Sequence, residues 1–164
     1  MKKIFTLLLI SILMFSCSND DDGEEIDCAL FDPMVSSLLI RLVDQDGTNL
    51  IENGTINPEN ITVEGNFPNP DFQYLPPREG IDSDDSTKYN HTLLLNIPYQ
   101  SNFTYTINLN ETESIDLEFD ARLEELPCEV SFFIPTKLTY EGQEIKSENG
   151  ENSEFNFLAE IEIK

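Results

Sequence analysis

The chain has no tryptophan, one histidine, three cysteines and nine basic residues among its 164 residues. Ser-His-Asp catalysis needs an imidazole, and His91 is the sole candidate, without a G-x-S-x-G elbow to accompany it. One histidine and no C-x-x-C pair also argue against a zinc site. We therefore expect His91 to be a surface or edge-strand residue and the protein not to be an enzyme.

Positive charge is scarce, and this absence excludes a class of partner. The formal net charge is −23, because 32 acidic residues outnumber the nine basic ones. The seven basic residues that follow Cys17 are scattered along the chain rather than clustered. Such a charge opposes phosphate backbones, so we predict that the protein does not bind nucleic acid.

No apolar run is long enough to span a bilayer. The longest, Ile4–Phe15, has about twelve residues, whereas a transmembrane helix needs about twenty. Lys2 and Lys3 precede the run, and a small residue and a cysteine follow it. This order predicts a cleaved export signal over residues 1–16.

The end of that signal, Met14-Phe15-Ser16-Cys17, resembles the lipobox of bacterial lipoproteins. The resemblance implies that Cys17 becomes the first mature residue and carries acyl chains, which anchor the protein stably in a membrane. An ordinary secretory signal with an incidental cysteine is the alternative.

Residues 17–27 form an acidic tether with six carboxylates and no base, a composition typical of disorder. Ser18-Asn19-Asp20-Asp21-Asp22 is similar to the export signal of surface-exposed lipoproteins of Bacteroidota (Flavobacterium-like bacteria). The resemblance implies an outer-membrane lipoprotein that faces the cell exterior; the alternative is the periplasmic leaflet.

With Cys17 lipidated, Cys28 and Cys128 remain as an even pair in a compartment that permits disulfides. A bridge between them would close a loop of about 100 residues, worth about 4–5 kcal/mol in the chain-entropy model. We predict the disulfide; two free thiols are the alternative. Residues 28–164 would then form one domain.

Within this domain the hydrophobic pattern has the period of two that strands require. Phe103–Leu109 and Ile115–Asp120 alternate apolar with polar residues, and Asp44-Gln45-Asp46-Gly47 predicts a hairpin turn. Only Ala121–Leu126 is compatible with a helical turn. About eight short strands predict an all-β fold, a single antiparallel β-sandwich of Ig-like or transthyretin-like type. Leu42–Leu50 looks like the first hairpin of transthyretin-like sandwiches.

The most plausible binding segment is Gly65–Asn90, which is long for a connection and interleaves aromatic residues with prolines. Prolines keep neighbouring aromatic rings pre-ordered, which lowers the entropic cost of binding. The alternative is an edge strand at Phe72–Leu75 whose flanking prolines block further pairing. The candidate binding residues are Phe67, Phe72, Tyr74 and Tyr99.

The same segment contains two further candidate sites. Asp82, Asp84 and Asp85 could present oxygens to a structural Ca²⁺; otherwise no cofactor is predicted. Asp85-Ser86-Thr87 resembles the O-glycosylation sequon of exported Bacteroidota proteins, which implies modification of Ser86.

Three functions fit these features. The first is a non-catalytic binding module of a surface lipoprotein, held to the membrane by its lipid and presenting loops to a protein or glycan partner. The second is a structural accessory subunit of an outer-membrane complex. The third, a secreted-type hydrolase that uses acidic residues, is least favoured, because 32 acids offer many carboxylate pairs and the sequence singles out none. The oligomeric state is not indicated.

Overall fold

Nine β-strands make up the fold in the computed structural model, which describes residues 26–78, 80, 87–149 and 155–164. These residues belong to two units that meet in sequence at Phe31 and Asp32, and all nine strands lie in the second. The strands are β1 (Ser37–Val43), β2 (Thr62–Gly65), β3 (Phe72–Leu75), β4 (Thr92–Leu95), β5 (Asn102–Asn108), β6 (Ser114–Glu125), β7 (Ser131–Tyr140), β8 (Gln143–Ile145) and β9 (Asn156–Glu162). A 3-10 turn at Pro58–Asn60 precedes β2.

The strands form two sheets packed face to face. Sheet A has the order β3-β4-β1-β9, and sheet B has the order β2-β5-β6-β7-β8. Both sheets contribute buried side chains to one hydrophobic core. The all-β sandwich predicted from the sequence is confirmed.

The core explains the alternation of β5 and β6. Phe103, Tyr105 and Ile107 on β5 point inward and are almost fully buried, while the residues between them are more exposed. Phe119 on β6 stacks on Phe103, with ring centroids 4.9 Å apart, and Tyr105 meets Phe119 edge-on at 6.5 Å. These large rings fill the space between the sheets and account for much of the apolar burial.

One strand pair departs from the antiparallel expectation. β1 and β9 run parallel, in register from Ser37↔Asn156 to Val43↔Glu162, whereas every other pair of named strands in the described residues is antiparallel. Two parallel neighbours need a long connection between them. Here the connection is most of the domain, since β1 is the first strand and β9 the last.

Ala121–Leu126, the one segment that the sequence left compatible with a helical turn, does not form one. Residues 121–125 continue β6 and pair with β7, with Leu123 opposite Phe133, after a β-bulge between Asp120 and Ala121. Cross-strand pairing decides the conformation here, because tertiary contacts override the weak helical propensity of such a short segment.

Two predicted covalent and turn features are present. Gly47 has φ 78° in the turn after β1, where the Gly47 N–H donates to the Asp44 carbonyl at 3.0 Å. Cys28 and Cys128 form the disulfide that the cysteine count predicted. Cys128 lies in the turn that links β6 to β7, in the left-handed region at φ 65°. The N–H of Leu126, two residues before Cys128, closes this turn by donating to the Val130 carbonyl at 2.8 Å.

Candidate functional site

A groove of about 650 Å³ lies on the outer face of sheet A, the face turned away from the core. Its floor includes Leu39 of β1, Leu75 of β3 and Leu94 of β4. The volume falls in the range of small-ligand sites, which are mostly apolar with a few placed polar groups. We take this groove as the candidate functional site.

Strand register places a row of side chains across the outer face of sheet A, and part of this row lines the groove. Leu94 lies opposite Gln73 on one side and opposite Leu39 on the other, and Leu39 lies opposite Leu158 of β9. Directly opposite residues share a face of the sheet. The row therefore crosses all four strands of sheet A, and three of its four members are leucines.

The polar groups of the groove are mainly uncharged. Gln73, Asn90 and Asn156 supply amides, and Ser37 supplies a hydroxyl. The described residues that line the groove include no aspartate or glutamate. This lining is uncommon in a chain with 32 acidic residues.

One wall of the groove is built by the segment predicted to bind. Pro76, Pro77 and Arg78 continue from the end of β3, and Tyr89 and Asn90 enter β4. Gly65–Asn90 thus supplies this wall, and Gln73 and Leu75 of the same segment also line the groove. The aromatic residues that the sequence singled out are not among these lining residues.

A set of buried hydrogen bonds holds this wall in place. The hydroxyl of Thr92, which is fully buried, donates to the Tyr89 carbonyl at 2.8 Å. The His91 N–H donates to the Leu75 carbonyl at 2.8 Å, and the buried Asn49 amide donates to the His91 carbonyl at 3.1 Å. Satisfied buried polar groups of this kind fix a local conformation. They keep the two ends of the wall together.

His91 itself is half-buried at the entry to β4 rather than fully exposed. Its backbone is in the left-handed region, with φ 54°, and its Nδ1 lies 2.7 Å from the Tyr74 hydroxyl. Burial raises the pKa of Tyr74. The hydrogen bonds of His91 go to Tyr74, Leu75 and Asn49, so they position the β3–β4 junction.

The four predicted aromatic residues do not form one patch. Phe67 is in the core, edge-on to Phe103 at 5.9 Å and to Tyr105 at 5.0 Å. Phe72 and Tyr74 are half-buried and pack against the core from β3. Tyr99 is 68% exposed. Only Tyr99 of the four therefore presents most of its ring to solvent.

Tyr99 belongs to a second apolar surface, the end patch, at the end of the sandwich where β1 begins. Its ring meets Phe133 edge-on at 5.0 Å, and its hydroxyl lies 2.8 Å from the Ser131 hydroxyl. A small cavity of about 200 Å³ between these residues is also lined by Val35, which is 60% exposed. We define the end patch as Val35, Ile97, Pro98, Tyr99, Phe132 and Phe133.

Four of the seven basic side chains in the described part of the chain lie in ion pairs. Arg41 pairs with Glu160 at 3.3 Å, Lys137 with Asp120 at 3.9 Å, Lys164 with Glu141 at 2.6 Å, and Arg122 with Glu124. Arg78 on the groove wall is exposed, and no ion pair of the described residues includes it. Lys88 Nζ instead lies 5.1 Å from the ring centroid of Tyr89, in a cation–π contact.

Several predicted sites fall outside the described residues. These are Cys17 with the signal and most of the tether, the acidic residues Asp82, Asp84 and Asp85, and Ser86. Within the described ranges, no group of three or more His, Cys, Asp or Glu is arranged to hold a metal ion. No helix there has the length and apolar character to cross a membrane.

Comparison with known proteins adds no relative: no protein-family model, curated protein or solved structure matches the chain.

Proposed function

We propose that the protein is an outer-membrane lipoprotein, anchored through Cys17 and displayed to the cell exterior, whose sandwich is a non-catalytic binding module. The groove on sheet A is the observation that carries the binding role. The lipobox-like segment and the acidic tether support the anchoring and the display.

The groove favours binding over catalysis. Glycoside hydrolysis needs two carboxyl groups flanking the scissile bond, and the described lining of the groove has none. Its chemistry is a leucine floor with amides at the rim, which buries apolar groups of a ligand and orients polar ones. A protein or glycan partner would be held without being cleaved.

Site-specific photo-crosslinking on intact cells tests the binding role. A photoreactive side chain replaces Gln73 in the groove, and in the matched control it replaces Thr104 on the outer face of sheet B. We expect a saturable adduct from position 73, identified by mass spectrometry, and none from position 104. Equal capture from both positions would remove the groove as the binding surface.

Anchoring and display are tested separately. We expect Cys17→Ala to abolish incorporation of radiolabelled palmitate and to release the protein from membranes, since acyl chains supply the membrane affinity. Protease added to intact cells should digest the wild-type protein if it faces the exterior. Protection from protease until the cells are lysed would instead indicate the periplasmic leaflet.

The end patch supports a second candidate, a structural accessory subunit of an outer-membrane complex. Val35 and Tyr99 are 60% and 68% exposed, and exposed apolar patches mark interaction sites. Tyr99→Ser with Val35→Ser should then disrupt co-purification with the complex, while a groove variant such as Leu94→Gln should leave it intact. The opposite result would favour the groove.

A further inference from the structure

We propose that the groove binds an extended polypeptide segment that carries aliphatic side chains and, near Arg78, a carboxylate. This inference rests on the proposed binding function and names the partner class for the same site. Three features of the groove carry it: the aliphatic floor, the amide rim, and the cations at one end.

The floor suits aliphatic side chains better than sugar rings. Leu39, Leu75 and Leu94 present branched aliphatic groups, and Pro76 and Pro77 extend the same character up one wall. Tyr89 is the one aromatic residue among the described lining residues, and Lys88 sits at its ring 5.1 Å from the centroid. A sugar that stacks on an aromatic face would have to compete with that ammonium group.

The rim suits a peptide backbone. Each amide of Gln73, Asn90 and Asn156 offers both donors and an acceptor, which is the combination that peptide N–H and C=O groups require. From β3 to β9 the groove crosses three strand spacings, about 14 Å at about 4.8 Å each. An extended segment of five residues covers that span, because it rises about 3.4 Å per residue.

The positive charges beside the groove predict that the ligand carries an acidic group, and they predict at which end of the groove it binds. Four basic residues in the described part of the chain lie in ion pairs, whereas no ion pair of the described residues includes Arg78, Lys88 or Lys146. Lys88, with its cation–π contact to the groove-lining Tyr89, adds a second positive charge beside the same wall. An exposed guanidinium can bind a carboxylate through two parallel hydrogen bonds. The groove end formed by β3 is thus complementary to an anionic group.

A peptide titration followed by amide NMR tests this inference. The protein is the full mature chain with Cys17→Ser, its disulfide intact. The probes are acetyl-Leu-Thr-Leu-Thr-Asp amide, in which alternate residues face the floor, its Asn analogue, and a tetragalacturonate as an acidic glycan. We expect the Asp peptide to shift the amide signals of Leu39, Gln73 and Leu94 at millimolar concentration.

Variants separate charge from shape. Arg78→Gln should weaken the Asp peptide about two- to fivefold and leave the Asn peptide unchanged, since exposed ion pairs contribute about 0.2–1 kcal/mol. Lys137→Gln is the matched control, a cation on sheet B whose loss should change neither affinity. Leu94→Gln should weaken both peptides.

Each contrary outcome overturns a defined part of the proposed ligand chemistry. Equal affinity of the Asp and Asn peptides would remove the carboxylate. Shifts of the groove amides by tetragalacturonate but not by the peptides would replace the polypeptide with an acidic glycan. No shift by any probe, with specific crosslinking from position 73 on cells, would overturn the inference while leaving the binding function standing.

Discussion

The outer faces of the two sheets differ in what their side chains do. On sheet B, Thr106 donates to Asp116 at 2.6 Å and the Asn102 amide donates to Asp120 at 2.6 Å, so exposed polar groups pair with one another. On sheet A, the corresponding face carries Leu39, Leu94 and Leu158 in one row. One outer face is lined by paired polar groups, and the other carries a row of leucines across three of its strands.

The strands themselves record this difference. Buried and exposed residues alternate strictly along β6 from Ser114 to Ala121, whereas five of the seven residues of β1 are buried, including Leu38, Leu39 and Ile40 in succession. A strand with one solvated face alternates, and a strand covered on both faces reads as a continuous apolar run. Broken alternation in β1, β4 and β9 therefore marks strands that have buried residues on the outer face as well as on the inner face.

Removal of the disulfide should have the largest effect on stability, and it tests whether the two sheets unfold as one cooperative unit. Cys28→Ser with Cys128→Ser should lower the free energy of unfolding by about 4–5 kcal/mol, because the disulfide closes a loop of about 100 residues. Denaturant unfolding measures the loss, and the protection of β1 and β6 amides against native-state hydrogen exchange should fall by similar amounts. Loss of protection in β6 alone would show that the sheets open separately.

Truncation of a core ring between the two sheets should have the second-largest effect on stability. Phe119→Ala should lower the free energy of unfolding by about 3–5 kcal/mol, since its ring is 2% exposed and stacks on Phe103. Phe119→Leu, which keeps most of the buried volume, is the control and should lose much less. A small effect of both would mean that the rings between the sheets contribute little to the contrast between inner and outer faces.

The comparison is sharpest for outer-face truncations. Leu39→Ala should lower the free energy of unfolding by about 2–3 kcal/mol, because Leu39 is 5% exposed although it lies on an outer face. Thr104→Ala on the outer face of sheet B should stay within about 0.5 kcal/mol of wild type. Urea denaturation measures both. Equal effects would remove the distinction between the faces.

The dependence of stability on alkaline pH tests the hydrogen bonds of the buried Tyr105, one of which joins the inner face of sheet B to the β4–β5 connection. Burial raises the pKa of Tyr105 to about 12, and its hydroxyl donates to the carbonyls of Asn96 at 2.8 Å and Asp71 at 3.2 Å. The raised pKa of the native state means that stability is complete below about pH 10 and is lost as the pH rises toward 12. We expect a loss of about 1–2 kcal/mol over that range, after allowance for solvent screening.

Tyr105→Phe removes the titrating group and should abolish this alkaline loss, while lowering stability at neutral pH through the two lost hydrogen bonds. Tyr99→Phe, at a mostly exposed ring, is the control and should keep the alkaline loss. An unchanged alkaline slope in Tyr105→Phe would assign the loss to another group.

Much of the fold could be predicted from local pattern, because alternation fixes strands and an even cysteine count fixes one bridge. The parallel pairing of β1 with β9 could not, since the two strands lie at opposite ends of the domain and leave no local signal. Phe67 was misplaced because its proline neighbours suggested an exposed ring. Gly65 was the available signal: a Cβ there would lie 2.7 Å from the Phe67 ring, so the glycine makes room for a buried aromatic.

The sequence predicted a binding segment, Gly65–Asn90, but not a groove. Its wall lies within Gly65–Asn90, but its floor comes from β1 and β4 and its far end from β9. Strand register alone brings Gln73, Leu94, Leu39 and Leu158 into a row. Register depends on pairing between segments that are far apart in the chain, so no single segment of the sequence reveals it.

The smallest expected effect compares one ion pair on each outer face. Arg41 and Glu160 lie 3.3 Å apart with side chains 24% and 37% exposed, whereas Lys137 and Asp120 lie 3.9 Å apart and are 44% and 51% exposed. A double-mutant cycle with Arg41→Met and Glu160→Gln should give a coupling energy of about 0.5–1 kcal/mol, and the Lys137→Met and Asp120→Asn cycle about 0–0.3 kcal/mol. Added salt should reduce the second coupling more, because exposed charges are screened more strongly. Similar couplings in both cycles would show that the outer face of sheet A is as well solvated as that of sheet B, despite its leucines.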